Sequence, residues 1–261
     1  VILSAQQAGD EPYLLARNLP EVPVIVGKNR VRSGKYALEK FASEVLILDD
    51  GFQYWPLKKD LEILTIDSSN PYGNGYLIPR GQLREPISHL SRGEIFLLTR
   101  TDLVSRNVLD TLITELHSLN PEALILETVH QPKCLENLLS GEKKGLDFIE
   151  NRKVVGFSSI GNPYFFEKTL ENLSAKIVKI FQFPDHHYYS RRDLLKIEET
   201  CRSGREKGEA ILITTEKDGV QLKGVVSPEI EGILRDIWVL KVELEISQRE
   251  EAWRRKIEQY I

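Results

Sequence analysis

The sequence predicts an α/β protein on a largely parallel sheet, and three observations carry that prediction. Short, continuously apolar runs recur along the chain, as strands covered on both faces require. They alternate with stretches whose apolar residues follow helical spacing, the pattern of strand–helix–strand crossovers. Several of the runs end in polar or acidic residues, where open α/β sheets place their ligands.

The predicted strands cover residues 22–26, 45–48, 61–66, 95–99, 123–127, 154–158, 177–182, 211–215 and 238–242. Helices are predicted over 35–43 and 102–119. In the second, Val108, Leu112, Leu116 and Leu119 recur at helical spacing and form its buried face. A polar stretch at 139–152, rich in Gly, Lys and Glu, separates two strand–helix series. It sets the expected domains at 1–150, a smaller second α/β lobe at 151–245, and a C-terminal helix at 246–261 that packs back on the core. That helix carries Trp253, Ile257, Tyr260 and Ile261 on one side. Arg254, Arg255 and Lys256 leave a membrane-surface contact as the alternative.

With 261 residues, 41% of them hydrophobic, the chain can bury a real core. A net charge of -4 argues against nucleic-acid binding, which needs a basic face. Two cysteines, Cys134 and Cys201, match no zinc spacing and point to a reducing compartment. No apolar run reaches the roughly 18 residues of a spanning helix. The chain begins with Val1 and contains no methionine, so it is expected to be an N-terminally truncated piece of a longer protein.

Five clusters could carry chemistry. In VLILDDGFQ (45–53), a buried strand would deliver Asp49 and Asp50 to a magnesium–phosphate site, because hard carboxylate oxygens suit magnesium. Gly51 permits a sharp turn and Gln53 adds a neutral polar group; an ordinary turn or helix cap is the plainer account. Asp10 and Glu11 precede Pro12 and read equally as a helix N-terminus. Asp185-His186-His187 at a strand end is a candidate general base or ligand set, or a surface loop. The proline- and glycine-rich segment 70–86 is a long ordered loop bearing Arg80, Arg84 and Glu85, and such loops tend to be functional. Arginine grips phosphate well, and Lys28 and Arg30 could join the same rim, although each is also an ordinary surface residue type. Thr214 to Asp218 (TTEKD) closes another strand, as part of a site or as a salt-bridged turn.

Taken in order, GDEP, VGKNR, LDDGFQ, KDLEI, GNGYLIPRGQLREP, SIGNPYFF, FPDHHYYS and TTEKD closely resemble the tetraacyldisaccharide 4'-kinase family, from Gly9 to Leu222. The resemblance implies a P-loop-kinase-like α/β core with helices on both faces of its sheet and a smaller second lobe. It implies ATP and magnesium as cofactors and transfer of the γ-phosphate to the 4'-hydroxyl of a tetraacyldisaccharide 1-phosphate, giving lipid IVA in lipid A biosynthesis. It implies a peripheral place at the cytoplasmic face of the inner membrane. By this resemblance Asp10 is the catalytic aspartate and His186 its partner, with His187 the second choice. Glu11, Asp49, Asp50 and Gln53 lie around magnesium and phosphates, with Asp49, Asp50 and Glu11 as metal ligands. Arg30, Arg84 and Glu85 belong to the substrate side.

One departure counts against full activity. The family's phosphate loop, of G-x-x-x-x-G-K-[ST] type, is not found; Gly27-Lys28 and Gly34-Lys35 lack its spacing and its Ser or Thr. Weak ATP binding and little or no kinase activity are therefore expected of this chain alone. Two other readings compete: a metal-dependent phosphoesterase of the DHH type, and a non-catalytic lipid-binding remnant.

Overall fold

A computed structural model describes residues 3–185, 187–203, 210–224 and 228–261. In chain order its elements are α1 (Ala5–Ala8), α2 (Asp10–Asn18), α3 (Arg30–Phe41), β1 (Ile63–Asp67), β2 (Ile95–Thr99), α4 (Arg106–Leu119), β3 (Leu124–Asn137) and β4 (Lys143–Lys144). Then follow β5 (Lys153–Ser158), α5 (Pro163–Asn172), β6 (Lys176–Gln182), α6 (Arg191–Ser203), β7 (Ile211–Thr215), α7 (Glu216–Lys223), α8 (Glu231–Arg235), β8 (Ile237–Ile246) and α9 (Glu250–Ile257). Two compact units emerge: Val1–Val26 with Pro132–Glu243, and Gly27–Gln131 with Leu244–Ile261.

In the first unit, β6, β5, β7 and β8 lie side by side in that order, all parallel. Their side chains alternate between two cores, as the two-residue period of a strand demands. Val155, Phe157 and Leu212 pack with Leu194 and Ile197 of α6 and Leu234 of α8. Val154, Ile211 and Ile213 pack instead with Phe166 and Leu170 of α5. Helices therefore cover both faces of this sheet. The stretch 139–152 is no linker: β4 pairs antiparallel with β3, and Leu146, Phe148 and Ile149 pack around Trp238 in the second of these cores. For this reason the structural division does not fall near residue 150, where the polar composition placed it.

In the second unit, β1, β2 and the first part of β3 are parallel neighbours, Ile63 opposite Ile95 and Ile95 opposite Leu124. Ile66, Phe96, Leu98 and Ile125 form a core with Leu109, Leu112 and Leu116 of α4. Val108 is exposed, so the buried face of α4 runs one residue away from the expected start. Asn29 caps α3 by accepting from the Arg32 amide at 3.0 Å. After β8, the Ser247 amide donates to the Glu127 carbonyl, and Arg249 reaches the Ile125 carbonyl ahead of α9. The helix ends at Ile257, short of the predicted Ile261, which is exposed.

Two predicted strands are not strands. Residues 22–26 and 45–48 form no ladder with any described residue. Val22, Val26, Val45 and Leu46 are exposed, and Ile47 is 93% exposed. The reading of 45–53 as a buried strand is therefore corrected. An apolar, β-branched run favours a strand only where a neighbouring strand supplies hydrogen bonds and a packed face. No helix among the described residues is long and apolar enough to cross a membrane.

Candidate active site

The predicted site residues fall into both units. In the first unit, Gly9 adopts φ +93°, a backbone conformation that L side chains rarely adopt, and turns the chain into α2. Asp10 and Glu11 open that helix, where its dipole favours carboxylates. Both face α7. The Gln221 amide nitrogen donates to Asp10 Oδ2 at 2.6 Å. Lys217 Nζ lies 3.0 Å from Asp185 Oδ1 and 3.5 Å from Glu11 Oε1. Lys217 and Gln221 are one helical turn apart and share a face of α7.

α7 is a firm platform because Asp218 to Leu222 are buried and its first turn is hydrogen-bonded. Thr215 caps it, accepting from the Asp218 amide at 3.3 Å, and the Thr215 hydroxyl donates back to Asp218 Oδ2 at 2.6 Å. Asp218 is fully buried, and its Oδ1 accepts from the Ser159 amide at 2.9 Å, the Ser159 hydroxyl at 2.5 Å and the Tyr189 hydroxyl at 2.8 Å. Burial, and then the neighbouring Asp218 carboxylate, push the Tyr189 phenol well above its usual range, so it stays a donor. Glu216 accepts from the Val242 amide and pairs with Lys241, which ties α7 to β8.

His186 lies outside the described residues. His187 is committed elsewhere. Its ring stacks on Phe183 at 4.6 Å, and Nε2 sits 3.1 Å from Asp193 Oδ2. Asp193 and Ser190 cap α6 reciprocally, the Ser190 amide and hydroxyl both donating to Asp193. Burial raises the Asp193 carboxyl, but these bonds and the His187 contact outweigh it and hold the group below its usual value.

In the second unit, Asp49-Asp50-Gly51 is a tight turn that exposes both aspartates and buries Gly51. Asp50 sits at φ +51°, a conformation that aspartate tolerates better than most residues. A Cβ on Gly51 would lie 2.8 Å from Leu48 Cβ, so close approach demands glycine there. Arg84 Nη1 reaches Asp50 at 2.8 and 2.7 Å and Gln53 Oε1 at 3.5 Å. Arg30 braces the neighbouring turn, donating to the carbonyls of Gly27 at 3.0 Å and Asp49 at 3.3 Å. Thus Arg30, Asp49, Asp50, Gln53 and Arg84 come together. Glu85 turns away from them: its Oε2 meets His89 Nδ1 at 2.9 Å and Arg92 at 2.5 Å, and Arg92 lies between the rings of Phe52 and Trp55.

The sequence reading left Gln221 out altogether, and it saw Lys217 and Asp218 only as part of a polar strand end. The available signal was the T-x-x-D capping pattern of Thr215 and Asp218, which fixes the helix start and so the shared face of 217 and 221. A further polar group lies at the carboxyl ends of β1 and β2 and midway along β3. Asp67 pairs with Arg100, while burial, then Arg100, lower the His130 imidazole.

Residues 2–261 match the family described as tetraacyldisaccharide-1-P 4'-kinase. The tetraacyldisaccharide 4'-kinase of Syntrophus aciditrophicus is 37% identical over 228 residues, covering 85% of this chain and 60% of that protein. That of Elusimicrobium minutum is 36% identical over 248 residues, covering 94% and 63%. The chain thus spans about 60% of the length of these curated relatives. A crystal structure of LpxK from Aquifex aeolicus in complex with ATP is 30% identical, with a TM-score of 0.71 over 100% of this chain and 71% of that one. The mostly parallel α/β fold derived above is shared with it. By sequence across nearly its whole length and by fold, this chain belongs to the tetraacyldisaccharide-1-P 4'-kinase family.

Proposed function

We propose that this chain serves ATP-dependent phosphoryl transfer to the 4'-hydroxyl of a tetraacyldisaccharide 1-phosphate; alone it is expected to bind ATP weakly and to transfer little or no phosphate, because its sequence carries no G-x-x-x-x-G-K-[ST] loop. The observation that carries the reading is Asp10, a carboxylate at the first turn of α2, held by the buried Gln221 amide. A carboxylate so placed can accept the proton of the sugar hydroxyl as that oxygen attacks the γ-phosphorus. His186 is assigned as its partner, because His187 is already engaged with Asp193. In phosphoryl transfer the protein chiefly positions groups and neutralises charge, so cations and acids matter as much as the base.

Asp49 and Asp50 fit magnesium chemically: they are adjacent, exposed, hard oxygen donors. Among the described residues no group of three or more His, Cys, Asp or Glu stands ready to hold a metal. Asp49 and Asp50 would hold such an ion, whose positive charge would offset that of the phosphates. Gln53, beside Arg84, would orient a phosphate or a water. Arg84, already on Asp50, and Arg30 supply cationic contacts for phosphate oxygens. Glu85 holds Arg92 and His89 and so shapes the substrate loop from beneath. The site of action is the cytoplasmic face of the inner membrane, where a lipid disaccharide would present its headgroup. The family assignment leaves the DHH phosphoesterase reading without support.

The test is a phosphate-transfer assay with ATP, magnesium and tetraacyldisaccharide 1-phosphate. Asp10→Asn is expected to lower kcat by about 10²–10⁴-fold, the usual contribution of a general base. Transfer that is indifferent to this substitution would sink the assignment.

A further inference from the structure

We propose that Gln221 is a positioning residue for Asp10, fixing the rotamer in which the carboxylate meets the acceptor hydroxyl; the inference rests on the kinase reading of Asp10. Gln221 is only 6% exposed, and its side chain leaves a helix whose neighbouring residues, Asp218 to Leu222, are all buried. A buried glutamine in a purely structural role satisfies both ends of its amide. Gln221 does not: its nitrogen donates to Asp10 Oδ2 at 2.6 Å, while its Oε1 finds no partner among the described residues. Among the described residues, Asp10 alone places the head of the side chain. A bond from an amide N–H to a carboxylate is charge-assisted, and so strong enough to select one Asp10 rotamer.

The platform behind Gln221 is rigid for reasons already given. Asp218, three residues earlier, takes three donors on one oxygen and the Thr215 hydroxyl on the other. Lys217, on the same face, tethers Glu11 and Asp185. A reactive group must be held within a fraction of an ångström of its productive place, and residues packed behind it do this. The motion that Gln221 prevents is rotation about the Asp10 Cα–Cβ bond, which would swing the base off its line to the hydroxyl.

Two measurements on the 261-residue protein test this. Three-bond couplings from the Asp10 backbone to its Cγ report the side-chain rotamer without any need for turnover. One rotamer is expected in the wild type and averaged couplings in Gln221→Leu, which keeps the apolar volume but loses the donor. In the transfer assay, Gln221→Leu should lower kcat about tenfold with the KM for ATP unchanged. Gln221→Glu should be weak at pH 8 and regain activity toward pH 6, where a protonated Glu can donate to Asp10. A single Asp10 rotamer in Gln221→Leu, or an unchanged kcat, would overturn the proposal. Residual transfer indifferent to Asp10→Asn would end the kinase reading; where the wild-type chain transfers too little to measure, as its lack of a G-x-x-x-x-G-K-[ST] loop predicts, the couplings alone decide whether Gln221 positions Asp10.

Discussion

The two acidic clusters differ in how they are held. Asp10 and Glu11 are backed by a helix whose first turn is sewn into the first unit through the fully buried Asp218. Asp49 and Asp50 stand on an exposed turn of the second unit, where one arginine, itself more than half exposed, grips Asp50. Under the proposed function this difference has a use: a base must be placed before the reaction begins, and the buried anchor of α7 supplies that placement. A pair proposed to take a metal can stand open, because a bound ion would organise it.

The contrast can be broken most sharply at Asp218. Asp218→Ala leaves the Ser159, Thr215 and Tyr189 donors unpaired in the interior. It should cost about 3–4 kcal/mol, read as a lowered midpoint in urea unfolding. A loss no larger than that of a surface substitution would mean that α7 is not anchored as described.

Arg84→Ala should behave in the opposite way. An exposed ion pair contributes roughly 0–1 kcal/mol, so unfolding should barely change. Phosphate contacts would be lost, and the KM for the lipid phosphate should rise about tenfold. A large stability loss without a KM effect would make Arg84 a structural residue.

Asp193→Asn removes the reciprocal cap of α6, at a cost of about 1 kcal/mol. The cost should depend on pH in a definite sense. The Asp193 carboxyl lies below its usual value, so its contribution is present above the ordinary carboxylate range and fades as pH falls through the folded value. The gap in Tm between wild type and Asp193→Asn should therefore close in acid and stay constant at neutral pH. A gap that widens in acid would contradict the assignment.

The smallest effect belongs to Ile47→Ser. A side chain 93% exposed packs against almost nothing, so stability should move by no more than about 0.5 kcal/mol. Were 45–48 a buried strand, the same change would cost several times more.

Much of the fold was legible in the sequence. The runs at 95–99, 154–158 and 211–215 became β2, β5 and β7 because continuous apolar stretches of that length have few alternatives in an α/β chain. The capping residues Asn29 and Thr215 stand at real helix starts, since a side-chain acceptor there satisfies amides that have no partner within the helix. Asp10 with Glu11, and Asp49 with Asp50, were singled out as candidates by residue type and order. Their partners were not, because Gln221 lies 211 residues from Asp10 and Arg84 lies 34 from Asp50. Long-range pairing leaves no local mark.

The sequence by itself determined the alternation of strands and helices and, through the order of its motifs, the family. Only the tertiary structure decided that 45–48 is no strand, that 139–152 is core rather than linker, that Glu85 serves Arg92, and that α7 stands behind Asp10. The physical reason is common to all four. Strand pairing, burial and side-chain hydrogen bonds are properties of two segments at once, and a sequence pattern describes only one.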